Sequence, residues 1–195
     1  MKLILTRHGR TKGNESRINE GHLHGELSKE GKEQVKKLAL RLKDEKIDVI
    51  YSSDLRRASD TAKEIAKYHP KTQVHFTKEL REGSAGDFEG KGYDEVDWEH
   101  PPKNFESHEQ IHKRVKKFAD KIYRKHKNGT VLFVSHCFSN MALVAALFNE
   151  SYKDMKKYRF NNTSVSIFEI KDGGQSQIHL LNCTKHLTNP DKVYY

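Results

Sequence analysis

The sequence predicts an α/β fold with a mostly parallel central sheet. Short β-branched runs alternate along the chain with stretches of helical periodicity, the pattern of parallel strands joined by crossover helices. The first such run, Leu3-Ile4-Leu5, passes directly into Arg7-His8-Gly9. Ligands of open α/β sheets bind outside the carboxyl ends of the strands, so this placement delivers a guanidinium and an imidazole to the crevice. At 195 residues the chain is long enough for one well-filled core and short for two, and a single domain over residues 1–195 is expected.

The elements follow in order. A strand at Lys2 to Thr6 precedes a helix on which Val35, Leu38, Ala39 and Leu42 recur at helical spacing, with Ser28 placed as its N-cap. Val49 to Ser52 reads as the next strand, and Leu55, Ala58, Ala62 and Ile65 form the apolar stripe of the helix after Asp54. A strand at Val74 to Thr77 leads into Gly83 to Asn104, which has glycines, acids and Pro101-Pro102 but no clean period; it is expected to be a short active-site loop or cap. Ser107 and Gln110 form a capping-box pattern for a long helix through Ile111, Val115, Phe118 and Ile122, ending near Asn128-Gly129. Thr130 to Ser135 is a strand, and a helix carrying Met141, Val144, Ala145 and Phe148 follows Ser135-His136. Strands at Ser164 to Ile170 and Gln177 to Asn182 complete the pattern.

Composition narrows the class. Hydrophobic residues are 34% of the chain and charged residues 32%, so apolar side chains are confined to short runs, none approaching the roughly eighteen consecutive positions of a membrane span. The opening run meets Arg7 before an apolar leader could form, and Cys137 and Cys183 are the only cysteines; a reducing cytoplasm and no structural disulfide are expected. The net charge of +9 favours anionic partners in general, while lysines spread over many helices also serve solubility alone.

Four polar motifs fall just after strands or at helix starts: Arg7-His8, Arg56-Arg57, Arg81-Glu82 and Ser135-His136. Together they suit a phosphate monoester. Its transferring group keeps its charge on three oxygens, so catalysis is mostly positioning and electrostatics. A guanidinium matches phosphate geometry and stays charged, which makes Arg7 and one of Arg56 or Arg57 the clamp. His136, closing a strand and opening a helix, adds the attraction of a helix N-terminus for an anion. His8 is the candidate nucleophile. Glu82 is the candidate proton donor and then general base, because a carboxyl beside a phosphate dianion and partly out of water is favoured in its protonated form.

Here the chain resembles the histidine phosphatase superfamily, in its phosphoglycerate-mutase-like branch, over most of its length. Thr6-Arg7-His8-Gly9 with Thr11 and Asn14 resembles the signature segment whose histidine is phosphorylated. Ser52 to Ala58 resembles the motif whose arginine just before alanine binds phosphate, which selects Arg57. Leu80-Arg81-Glu82 followed by Gly86 to Gly90 is similar to the acid-bearing loop, and Val134-Ser135-His136 to the last catalytic motif. Phe105-Glu106-Ser107 through Arg114 and the tail from Asn182 to Leu187 fit as well. The resemblance implies a three-layer α/β/α sandwich, no metal, no cofactor and a covalent phosphohistidine. His8, Glu82, Arg7, Arg57 and His136 would be catalytic, with Asn14, Thr11 and Cys137 beside the substrate. Arg10, Glu26 and Cys137-Phe138 depart from the residues usual at their positions.

The implied enzyme is a phosphomonoesterase for a small phosphorylated metabolite, as monomer or homodimer, with no nucleic-acid or membrane partner. A mutase is the runner-up, but it must shield its phosphoenzyme from water and calls for a larger cap than 83–104 supplies. Lys12, Arg10 and Lys91 are candidates for a second anionic group on the substrate. Three rivals belong to other classes. His108-Glu109-Gln110-Ile111-His112 spells a zincin motif, yet it lies in the first turns of a helix with no third ligand in view. Cys137 has Leu143, not arginine, six residues on, which excludes a cysteine-phosphatase loop. A basic nucleic-acid-binding domain using Lys113 to Lys127 lacks an aromatic stacking pattern.

Overall fold

Burial alternates along the central strands, and the alternation builds two cores. In the computed structural model, which describes residues 1–171 and 176–188, β1 (Lys2–Arg7) buries Leu3 and Leu5 on one face and Ile4 on the other. The rest of the expected 1–195 domain lies outside the described residues. The strands β2 (Val49–Ser53) and β4 (Thr130–Ser135) follow the same rule, with Val49, Tyr51, Val131 and Phe133 on the first face and Ile50, Leu132 and Val134 on the second.

Helices cover both faces, so the architecture is the three-layer α/β/α sandwich. After a one-turn helix α1 (Lys12–Glu15), α2 (Lys29–Leu42) and α3 (Arg56–Ala66) bring Leu38, Leu42, Ala58 and Ile65 to the second face. The first face is covered by α4 (His108–Lys125) and α5 (Cys137–Leu147). α4 is amphipathic, with the expected capping box from Ser107 and Gln110, and ends at Lys125, a few residues before Asn128-Gly129. α5 is apolar around most of its circumference because it lies between the sheet, α4 and the 3-10 turn at Tyr152–Lys157. Among the described residues no helix is long and apolar enough to cross a membrane.

The sheet order is β3-β2-β4-β1-β5-β6, where β3 is Gln73–Thr77, β5 Val165–Glu169 and β6 Gln177–Cys183. The pairs β3–β2, β2–β4 and β4–β1 are parallel, and β1–β5 and β5–β6 are antiparallel. The mostly parallel sheet therefore carries an antiparallel edge. The parallel strands point their carboxyl ends the same way, and the chain leaves β1 toward α2 on one face and β4 into α5 on the other. A crevice opens where neighbouring strands diverge in this manner.

One contact holds the post-β1 loop in place. A Cβ on Gly31, in the first turn of α2, would stand 1.9 Å from the Arg10 carbonyl oxygen. Helix propensity alone favours alanine over glycine by about 1 kcal/mol, but backbone on backbone cannot yield cheaply, so the clash decides the sign. Gly31→Ala is expected to lower stability by about 1–3 kcal/mol, read as a lower urea midpoint, whereas exposed Leu40→Ala is expected to stay within about 0.5 kcal/mol.

Candidate active site

The crevice between β1 and β4 gathers the histidines. Arg7 is in register with Ser135, and one residue on, the His8 amide donates to the Ser135 carbonyl at 3.0 Å. The His8 and His136 rings, both buried, then stand 5.0 Å apart between centroids. The segment before β5 closes the same end: Thr163 N donates to the Arg7 carbonyl (3.0 Å), and Asn162 Nδ2 donates to the His8 carbonyl (2.9 Å).

The hydrogen-bond partners assign the protons. His8 Nδ1 lies 2.8 Å from the Gly9 carbonyl, which only accepts, so Nδ1 carries the hydrogen and Nε2 presents a lone pair. His136 is the mirror case. Arg57 Nε, which only donates, stands 3.2 Å from His136 Nδ1; that nitrogen must accept, and the hydrogen goes to Nε2. His136 Nε2 is buried and meets no protein acceptor. One ring therefore offers a nucleophilic nitrogen and the other an unspent donor. Burial pushes both imidazoles well below their ordinary pKa of 6.5, and the Arg57 and Arg7 charges push them further the same way.

Arg57 is buried and mostly engaged by protein. Of the five donors on a guanidinium, Nε goes to His136, Nη1 to the Leu23 and His24 carbonyls, and Nη2 to the Gly21 carbonyl at 2.8 Å. One Nη2 hydrogen and the full positive charge remain. Arg7 donates from Nη1 to the Phe160 carbonyl at 2.8 Å, and its charge acts on both histidines. Arg56, the other candidate, is exposed and pairs with Glu26 and Asp60.

Glu82 sits at the α5 N-terminus. Its Oε1 accepts from Ser139 N and Gly83 N, both at 3.1 Å, and its Oε2 accepts from Phe138 N at 3.3 Å. The first amides of α5 are therefore turned to the oxygens of the Glu82 side chain. Its segment is tied down by Ser135 Oγ to the Leu80 carbonyl, by Ser139 Oγ to the Arg81 carbonyl, and by a bidentate Arg81–Asp54 pair at 2.6 Å. Arg81 thus serves the scaffold.

The remaining expectations divide. Thr11 caps α1, its hydroxyl accepting from Asn14 N and donating to Glu20 Oε2 at 2.8 Å, while Asn14 Oδ1 accepts from Thr11 N and Asn162 Nδ2. Asn14 is left with its Nδ2 hydrogens to offer. The Cys137 thiol is buried and lies against Met141 Sδ and the Phe160 carbonyl, and Tyr93 feels it as well. Arg10 pairs with Glu30 and Glu15, and Lys12 with Glu26. His108 stacks on Phe138 at 5.5 Å, and His112 meets the Glu150 carbonyl, so the zincin histidines serve separate partners. Three residues were not anticipated: Asn162, Tyr93, whose environment includes Arg7, Glu82 and Glu20, and Glu20 itself, 3.8 Å from Arg57 Nε. Asn162 and Glu20 lie in loops and Tyr93 opens the short 3-10 turn Tyr93–Glu95, where no long period marks a buried polar residue.

The model of the histidine phosphatase superfamily (branch 1) matches residues 3–184. Phosphoserine phosphatase 1 of Hydrogenobacter thermophilus is 33% identical over 96% of this chain and 94% of that protein. Phosphoglycerate mutase-like protein 4 of Arabidopsis thaliana is 31% identical over 95% and 86%. The structure of a histidine-to-alanine mutant of Entamoeba histolytica phosphoserine phosphatase, in complex with phosphoserine, superposes with a TM-score of 0.84 at 26% identity, covering 95% of this chain and 98% of that one.

The proton assignment is testable by nitrogen-15 NMR. His8 is expected to show a protonated Nδ1 and His136 a protonated Nε2, both rings staying neutral well below pH 6.5. Because the unfolded chain binds protons at these histidines below 6.5 and the folded chain does not, stability is expected to fall as pH drops through that window. A ring titrating near 6.5 contradicts the assignment.

Proposed function

The chain belongs to the histidine phosphatase superfamily, branch 1, and from that premise we propose that it is a metal-independent phosphomonoesterase that hydrolyses a small phosphorylated metabolite through a phosphohistidine on His8. The observation that carries the reading is the opposed bonding of the two rings: His8 Nδ1 meets the Gly9 carbonyl, which leaves Nε2 its lone pair, and His136 Nδ1 meets Arg57 Nε, which leaves Nε2–H with no protein acceptor.

In the first step His8 Nε2 attacks phosphorus and the bond to the ester oxygen breaks. The leaving alkoxide takes a proton from the Glu82 carboxyl, whose Oε2 has one long contact and so a lone pair to spare for the travelling proton. The ring now carries the phosphoryl group on Nε2 and hydrogen on Nδ1, and the Gly9 carbonyl stabilises that positive ring. His136 Nε2–H, Arg7, Asn14 Nδ2 and the spare Nη2 hydrogen of Arg57 meet the phosphoryl oxygens. In the second step the Glu82 carboxylate takes a proton from water, the oxygen attacks phosphorus, and the P–N bond breaks to restore the lone pair on Nε2. Thr11 acts by holding Asn14 and Glu20.

Hydrolysis is favoured over mutase chemistry because the segment between Glu82 and α4 holds only the short turns Gly86–Phe88 and Tyr93–Glu95, little to keep water from the phosphoenzyme. The nucleic-acid alternative has weaker support, since Lys113 and Lys116 pair with Glu109 and Asp120 of their own helix. Phosphoserine heads the substrate candidates, being named in two of the three similar proteins described above. A cytoplasmic setting suits the two free cysteines.

A panel of phosphorylated metabolites, assayed with chelator present, is expected to show turnover by the wild type and background rates for His8→Ala; equal rates overturn the reading. Glu82→Gln is expected to slow an alkyl phosphate by about 100-fold or more and nitrophenyl phosphate far less, because nitrophenolate leaves without a proton. Equal slowing removes the proton-donor role.

A further inference from the structure

Glu20 places a carboxylate inside the cationic pocket. Its side chain is only 10% exposed, Oε2 receives the Thr11 hydroxyl at 2.8 Å, and the same oxygen lies 3.8 Å from Arg57 Nε. Backbone closes over it: a Cβ built on Gly25, whose φ is +61°, would stand 2.4 Å from Glu20 Oε1, and one on Gly13 would stand 2.7 Å from the same oxygen. A side chain at either position would push Glu20 from its place, so the two glycines leave it room beside Arg57. The charged and titratable groups acting on it are Arg57 from α3, Arg7 from β1 and Glu82 beside α5, and Tyr93 feels it in turn.

These groups set a charge balance that a phosphate site must resolve. Arg7 and Arg57 bring two positive charges, Glu20 and Glu82 can bring two negative ones, and both histidines are held neutral. A tetrahedral dianion entering this space meets a carboxylate that already serves as counterion to Arg57.

We propose that Glu20 makes the pocket bind its phosphoryl group together with a proton: the carboxylate that balances Arg57 beforehand becomes a neutral carboxyl when the dianion takes over as counterion. The proton comes from solvent and goes to Oε1, because Oε2 already receives the Thr11 hydrogen. The neutral carboxyl keeps that hydrogen bond and its place between Gly13 and Gly25. Burial holds Glu20 above the ordinary carboxyl pKa even against Arg57, which favours this exchange. In consequence the pocket discriminates by protonation state, taking a monoanionic ester directly and a dianionic ester only with proton uptake.

The inference rests on the phosphate pocket proposed above, and one experiment separates the two. Sulfate is a tetrahedral dianion that does not titrate near neutral pH. Its binding to the full chain is measured by calorimetry in buffers of different ionisation heat, alongside inorganic phosphate, for wild type and Glu20→Gln. Wild type is expected to take up as much as one proton per sulfate and Glu20→Gln none from this position. Sulfate affinity of the wild type should then fall relative to the variant by up to about tenfold per pH unit in the coupled range. Proton uptake that persists undiminished in Glu20→Gln belongs to other groups and overturns the proposal. Sulfate binding by wild type without proton uptake overturns it too, whether or not the variant folds. Failure of wild type to bind either anion removes the pocket itself, and this proposal with it.

Discussion

The hydrogen bond from Arg57 Nε to His136 Nδ1 is the constraint on which the rest of the site depends. A guanidinium cannot give up its proton, so the imidazole has no choice of role. Fixing one nitrogen as acceptor fixes the other as donor. The Gly9 carbonyl imposes the opposite choice on His8, and two chemically identical rings 5.0 Å apart acquire different functions. Burial completes the assignment by keeping both rings uncharged beside two arginines.

Holding Arg57 there is costly, since a buried cation must be compensated. Carbonyls of Gly21, Leu23 and His24 and the Glu20 carboxylate supply the compensation, all from the loop between α1 and α2. That loop is in turn held by Thr11, Glu89 and the Glu82 carbonyl through Glu20 and His22. The acid-bearing segment follows the same logic, with Arg81 bound to Asp54 and Arg114 bound to Glu106 and to the Glu79 and Arg81 carbonyls. Much of the positive charge that marks the motifs in the sequence is therefore structural.

The fold was legible because it obeys periodicity. Each predicted strand appears within a residue or two of its expected ends, since residues such as Leu3, Ile4 and Leu5 must alternate between two cores. The motifs holding the histidines, Arg56-Arg57 and Glu82 were legible because strand ends in such a sheet converge, while the choice of Arg57 over Arg56 came from the family resemblance. Side-chain direction was not legible. Nothing local in the sequence distinguishes a thiol at Cys137 turned into the core from one facing a ligand, or shows that Phe138 and Ser139 amides serve Glu82. Glu20 was invisible for a related reason: a charged residue among glycines in a loop reads as solvated, and its burial depends on Arg57 and Thr11 arriving from elsewhere.

The tautomer constraint makes a prediction about a single atom. Turnover of a phosphomonoester by chain labelled with nitrogen-15 in its histidines, quenched in alkali where phosphohistidine survives, allows the phosphorus–nitrogen bond to be located by NMR. The account predicts phosphoryl on Nε2 of His8. Phosphoryl on Nδ1 of His8, on His136 or on no histidine would contradict it.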